Sequence, residues 1–272
     1  MSNTKQRILS AIVLVLILIA FASIGSKGVL TLIFIIGVLF VDEFATKFLQ
    51  LERKSFSYII SQISFCLGYV YFNFIDQSRG YFLAINNLAL IMHIVLLGYL
   101  FIEKLESKKF LTSLKSLSVL SGVFILIPML SMSQVLFHKQ WISLLLLLMI
   151  FNISVDTGAW FVGKNFGNTK LWPKISPKKT LKGFIGGSVI ATLMATLISF
   201  YAFGKISLGI ILGFLILSFL AQFGDLIESK LKRQVGIKDS SQLIPGHGGI
   251  YDRLDSLLFV CPFYVLFLHL YF

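Results

Sequence analysis

The chain has 272 residues, 57% of them hydrophobic, a mean hydropathy of +0.88 and a formal net charge of +12. One globular core of this length cannot bury so much apolar surface, so lipid must cover part of it, and a water-soluble domain with a basic nucleic-acid-binding face is excluded. Both cysteines, Cys66 and Cys261, sit inside apolar runs, so neither a disulfide framework nor a zinc site is expected.

Apolar runs of roughly 18 to 22 residues suffice to cross a hydrocarbon layer of about 30 Å as helix. They fall near 8–25, 29–46, 58–75, 82–102, 117–137, 140–162, 183–203, 206–224 and 256–272. This predicts an all-α integral membrane protein, a polytopic bundle of about nine transmembrane helices. The run after "MSNTKQR" exceeds the roughly 7 to 15 apolar residues of a signal peptide and reads as an uncleaved first helix. With the N-terminus in the cytoplasm, all of the 24 Lys and Arg except Lys27, Arg79, Lys139 and Lys205 fall on the cytoplasmic side.

Up to about residue 140 the loops are short or plainly charged, as in "LERKSFS" and "EKLESKKFLTSLKS", and their lysines read as anchors at lipid headgroups. From about 150 onward come Asp156, Asp225, Glu228, Asp239, Asp252 and Asp255, half of the chain's 12 acids, and chemistry is expected there. One continuous membrane domain is predicted, with N-terminal transmembrane helices in 1–140 and a C-terminal catalytic region in 141–272.

The loop "GKNFGNTKLWPKISPKKTLKGFIGG" carries six lysines, and Lys178, Lys179 and Thr180 immediately precede the start of the next helix. Helix amides and dipole would there add to the pull of the lysines on an anion, although no Walker A loop is present. Gly183/Gly187 and Gly209/Gly213, spaced i, i+4, read as helix-packing faces. Asp156 is balanced between an ion pair with a lysine and a place in the site. In "SFLAQFGDLIESKLKRQVGIKDS", Asp225, Glu228 and Lys232 share one helical face at the membrane surface, where a carboxylate is a functional candidate.

Next, "LIPGHGGIYDRLDS" breaks the helix at Pro245 and Gly246, and Gly248 and Gly249 allow close backbone approach. Asp252 and Asp255 then open the last helix on one face. His247 is the only histidine in a polar loop and is a candidate acid or phosphate donor; His93, His138 and His269 lie in or beside apolar runs and read as structural. Clustered carboxylates repel unless a cation sits among them, and oxygen-only ligands favour Mg²⁺ or Mn²⁺. Lys230, Lys232, Arg233, Lys238 and Arg253 supply positive charge suited to phosphate oxygens. The parts together point to metal-assisted phosphoryl or nucleotidyl transfer.

The segment "SKLKRQVGIKDSSQLIPGHGGIYDRLDS" resembles the phosphatidate cytidylyltransferase family, whose pattern Ser-x-x-Lys-Arg, Lys-Asp, His-Gly-Gly, Asp-Arg-x-Asp it matches throughout. "SPKKT" with Gly186 and Gly187, and "DTGAWFVGKNFG", are also similar to family segments, so the resemblance covers about the last 120 residues. One departure is Lys182, where the family commonly has Glu or Gln; no acidic role is expected there. The resemblance implies that CTP and phosphatidate give CDP-diacylglycerol and pyrophosphate, with Mg²⁺ as one or two cations, at the cytoplasmic face of the cell membrane.

It also implies site residues. Asp225 and Asp252 would lead the metal ligands, with Glu228, Asp239 and Asp255 beside them. Lys178, Lys179, Lys232, Arg233, Lys238 and Arg253 would hold the triphosphate or the lipid phosphate, Ser176, Thr180, Gly248 and Gly249 would join them in binding substrate, and His247, counted with the catalytic residues, would shape the loop together with the two glycines. The expected partners are CTP, phosphatidate, membrane lipids and a second copy of the chain in a homodimer, with no nucleic acid. Two other readings are a CTP-dependent lipid kinase, which would release CDP, and an anion transporter with a basic vestibule.

Overall fold

The computed structural model describes residues 3–76, 78–246 and 248–272. Its elements are α1 (Asn3–Ser23), α2 (Ser26–Glu43), α3 (Phe56–Val70), α4 (Arg79–Ile102), α5 (Lys109–Ser116), α6 (Ser118–Gln134), α7 (Trp141–Phe166), β1 (Lys170–Trp172), β2 (Ser176–Thr180), α8 (Leu181–Phe203), α9 (Leu208–Val235) and α10 (Tyr251–Tyr271). Among the described residues nine helices, all but the short α5, are long and apolar enough to cross a membrane. The chain is a multi-pass, all-α membrane protein, and each predicted apolar run overlaps one of these helices.

Local chemistry sets the boundaries. Ser55 and Ser207 cap α3 and α9 by accepting hydrogen bonds from the amides of Tyr58 and Ile210. Gly204 separates α8 from α9 with a φ of 65°, the left-handed turn that favours glycine at a helix end. α2 and α3 each close in a widened π-turn, Phe44–Phe48 and Tyr71–Ile75. The described residues add a small antiparallel hairpin, β1 with β2, which pairs Lys170 with Thr180 and Trp172 with Ser176. Its turn buries Ile175 against the bundle, and so the hairpin carries "SPKKT" on a rigid support.

Two packing contacts position the site. α7 and α8 approach through glycines: a Cβ added at Gly187 would lie 2.7 Å from the Val155 carbonyl and 2.8 Å from the Ala159 amide. Only a bare backbone allows that distance. Gly209 and Gly213 on α9 likewise accommodate Tyr271 and Phe267 of α10, so both predicted glycine faces are packing faces. Pro262 in α10 leaves the Leu258 carbonyl without its intrahelical donor, and the ring of His93 on α4 lies in hydrogen-bond contact with it. His93 is thereby a packing residue, buried against Phe259 and Phe263.

The nine spans among the described residues alternate in direction, which puts the start of α1 and the described parts of the loops 49–55, 103–108, 167–180 and 236–250 at one end of the bundle. Contacts there agree with this. Arg7 Nε donates to the Gly246 carbonyl at 2.9 Å, Gln234 Nε2 reaches Ser107 O at 2.5 Å, and Arg233 Nε donates to Ile175 O at 3.3 Å.

Candidate active site

α9 has 28 residues, roughly 42 Å of helix against about 30 Å of hydrocarbon. The excess of about 12 Å is roughly the last eight residues, so Lys232 lies beyond the hydrocarbon while Asp225 and Glu228, on the same face, lie near its edge, before Gly236 ends the helix with a φ of 76°. Thr180 caps α8 by accepting a hydrogen bond from Gly183 N at 3.1 Å, which leaves Lys178 and Lys179 on β2 beside the amino end of that helix. The first turns of α10 deliver Asp252, Arg253 and Asp255.

These elements and α7 surround a cavity of about 740 Å³. All six acids of the second half line it, Asp156, Asp225, Glu228, Asp239, Asp252 and Asp255, facing the bases Lys164, Lys170, Lys178, Lys179, Lys232 and Arg253. Asp225, Glu228 and Asp255 each present a carboxylate oxygen within 4.8 Å of the others. Lys179 Nζ lies 2.6 Å from Asp225 Oδ2, and Lys232 Nζ joins Glu228 Oε2 at 2.6 Å to Asp252 Oδ1 at 2.7 Å.

Glu228 is 1% exposed, and its second oxygen, Oε1, has no hydrogen-bond partner among the described residues. A buried carboxylate oxygen without a donor is costly. Three convergent carboxylates, one with an unpartnered oxygen, form a donor set that suits a hard divalent cation.

Asp252 is placed differently from the other acids. Its Oδ2 accepts from Ser240 N and Ser240 Oγ, both at 2.9 Å, and from Gly249 N at 2.8 Å. With Oδ1 on Lys232, both of its oxygens are occupied, and it ties the loop after α9 onto α10. Gly248 fits at this point because its φ is 90° and a Cβ there would come within 2.5 Å of Asp252 Oδ2. Paired hydrogen bonds between Ile244 and Gly248, of 2.8 and 3.1 Å, close the turn around Pro245 and Gly246. His247 lies outside the described residues.

Several predicted residues stand at the margin. Ser176, Arg233, Lys238, Gly248 and Gly249 do not line the cavity. Arg233 braces the hairpin through Ile175, and Lys238 is exposed. Lys230, grouped with the phosphate-binding bases from sequence, turns away. Its Nζ donates to the carbonyls of Tyr99 at 2.5 Å, Leu100 at 3.1 Å and Glu103 at 2.6 Å, closing the end of α4.

Two residues near the site were not singled out from sequence. Gln222 lines the cavity and donates from Nε2 to Phe184 O and Ser188 Oγ, each at 2.9 Å. Glu43 is 3% exposed and accepts from Ser241 Oγ at 2.6 Å, Ile250 N at 3.0 Å and Tyr251 N at 2.9 Å. Its position resembles that of Asp225, an acid where an apolar run reaches the surface, but it stands in the half outside the stretch from about 150 onward where chemistry is expected.

The model of the cytidylyltransferase family matches residues 5–271. The phosphatidate cytidylyltransferase of Bacillus subtilis (strain 168) is 52% identical over 119 residues, 43% of this chain and 44% of that one. The phosphatidate cytidylyltransferase of Staphylococcus aureus (strain COL) is 49% identical over 108 residues, 39% of this chain and 42% of its own length. That of Staphylococcus haemolyticus (strain JCSC1435) is 46% identical over 108 residues, with the same shares. The aligned stretch thus spans less than half the length of the curated relatives. The chain belongs to the cytidylyltransferase family.

Proposed function

We propose that this member of the cytidylyltransferase family is a phosphatidate cytidylyltransferase, converting CTP and phosphatidate to CDP-diacylglycerol and pyrophosphate at the cytoplasmic face of the cell membrane. The observation that carries the reading is the cavity at the helix ends, where the Asp225, Glu228 and Asp255 carboxylates converge opposite Lys178, Lys179, Lys232 and Arg253. Relatives that align with about two fifths of the chain carry that name. The placement of basic residues supports the cytoplasmic orientation, since the loops at the cavity end hold most of the lysines and arginines.

A phosphate monoester is largely ionised at neutral pH, its second pKa being about 6, so its oxygen is already a nucleophile. In the proposed reaction a phosphatidate oxygen forms a bond to the α-phosphorus of CTP, the bond from that phosphorus to the β-phosphate bridging oxygen breaks, and pyrophosphate leaves with the electron pair. No triad is needed to make the nucleophile. The work of the protein is to hold two anions together and offset their charge. Lys178 and Lys179, beside the amino end of α8, and Arg253 and Lys232, at the start of α10 and the end of α9, are placed to bind phosphate oxygens.

Six acids and six bases line the cavity, so its own charges balance and an incoming triphosphate brings an excess of negative charge. Asp225, Glu228 and Asp255 would hold Mg²⁺ to offset it, and Asp252, Lys232 and Ser240 would fix the helix ends that carry them. When bound, Mg²⁺ neutralises phosphate oxygens and favours departure of pyrophosphate. The test is to incubate the detergent-purified protein with phosphatidate, CTP and Mg²⁺. CDP-diacylglycerol and pyrophosphate are expected in equal amounts, abolished by EDTA; release of CDP with a newly phosphorylated lipid would instead identify a kinase.

A further inference from the structure

We infer that Glu43, in the N-terminal half, is a positioning residue for the cavity, holding the first turn of α10 through a carboxylate clamp. Nearly all of its surface is buried, and both of its oxygens are engaged. Oε1 accepts from Tyr251 N and Oε2 from Ile250 N, so one carboxylate receives two successive amides at the amino end of α10. A negative charge is favoured there by the unpaired amides and the helix dipole. Ile250 supplies no side-chain cap; the cap comes from a residue 207 positions away in sequence.

The surroundings are shaped to the clamp. Gly249 is bare because a Cβ there would collide with Ser240 Oγ and with both oxygens of Glu43, Oε1 at 2.5 Å. Ser241 Oγ fastens the loop to the same carboxylate at 2.6 Å. Tyr251 is held among Phe40, Phe44 and Phe48, with ring centroids 4.7, 6.3 and 5.5 Å away. A one-turn π-helix starts at Phe44, directly after Glu43, as π-turns often do at functional sites.

From Glu43 the contacts run inward. Gly249 N, next to the clamped amides, donates to Asp252; Asp252 binds Lys232; Lys232 binds Glu228, one of the three convergent carboxylates. Asp255 lies one turn further along the clamped helix. Glu43 thus sets where α10 begins, and with it the position of Asp252 and Asp255 relative to α9. It does not line the cavity and acts only through these residues.

The inference deepens the proposed function and rests on it for turnover, so the test includes a readout that needs none. Full-length wild type, Glu43→Gln, Glu43→Asp and Ser241→Ala would be compared in detergent by size exclusion, Mn²⁺ binding followed by electron paramagnetic resonance, and steady-state kinetics. Glu43→Gln keeps the shape but presents an amide donor to groups that are themselves donors. It is expected to weaken Mn²⁺ binding and lower kcat by about 10–100-fold, with a smaller effect on KM for CTP. Glu43→Asp should recover part of both, and Ser241→Ala, the milder change, should move both in the same direction if Glu43→Gln fails to fold.

Wild-type Mn²⁺ affinity and kcat in a folded Glu43→Gln, or in Ser241→Ala where Glu43→Gln does not fold, would overturn the inference. If no variant turns over, wild type included, the functional reading fails while the Mn²⁺ comparison still decides the role of Glu43.

Discussion

Acids of the same type perform different tasks here according to what surrounds them. Asp252 has donors on both oxygens and works as a tie between loop and helix, whereas Glu228 keeps one buried oxygen without a partner among the described residues. Asp225 pairs with Lys179 at 2.6 Å and accepts from Ser229 Oγ at 3.3 Å. Replacing Asp225 by Asn should therefore remove one of three convergent charges without emptying the space. The expected outcome is a loss of Mg²⁺-dependent turnover of on the order of 10²-fold or more, with a raised half-saturation for Mg²⁺. Lys179→Met should instead raise KM for CTP more than it moves the Mg²⁺ requirement, because in the proposed reaction its charge binds phosphate. Steady-state kinetics with CTP and Mg²⁺ varied separately distinguishes the two.

Element ends, more than element interiors, assemble this site. α9 projects beyond the hydrocarbon, α8 starts at Thr180, α10 starts under Glu43, and α4 ends on Lys230. The Lys230 ammonium is buried and donates to the carbonyls of Tyr99, Leu100 and Glu103 where α4 ends, the first of which also accepts from Glu103 N at 3.3 Å, while lying 4.3 Å over the Tyr99 ring. This is a helix C-cap supplied by a different helix. Lys230→Met keeps most of the length of the side chain and removes the donors. A loss of about 1–3 kcal/mol of stability is expected, seen as a lower midpoint of thermal unfolding in detergent, with kcat of the folded fraction within about twofold of wild type.

Taken whole, the molecule is a single bundle whose N-terminal half clamps the chemistry of the C-terminal half. Glu43 joins α2 to α10, Lys230 and Gln234 join α9 to the end of α4, and Arg7 reaches the turn at Gly246. A fragment comprising 141–272 should accordingly insert in a membrane but bind Mn²⁺ far more weakly than the full chain, and co-expression with 1–140 should restore binding. Orientation is testable on the same scale. Single cysteines placed at Lys54, Lys174 and Lys238 in a background lacking Cys66 and Cys261 should react from the cytoplasmic side with a membrane-impermeant maleimide. A cysteine at Lys139 should react from the opposite side.

The spans were legible because each transmembrane helix must satisfy its own backbone within lipid, so length and apolarity alone locate it. The same held for the glycine faces and for the acids of "GDLIESK" and "YDRLDS", whose spacing puts them on one side of a helix whatever it packs against. Sequence spacing does not say which partner a side chain meets. Lys230 and Lys232 are two residues apart, yet one closes α4 and the other bridges Glu228 and Asp252, because their places on α9 point them to different neighbours. Glu43 is not singled out by the sequence, and only the packing of α2 beside α10 makes it a cap. Local sequence determined which segments cross the membrane and which residues leave it charged; tertiary packing decided which charges meet, since a hydrogen bond or ion pair depends on a few ångströms between helices distant in sequence.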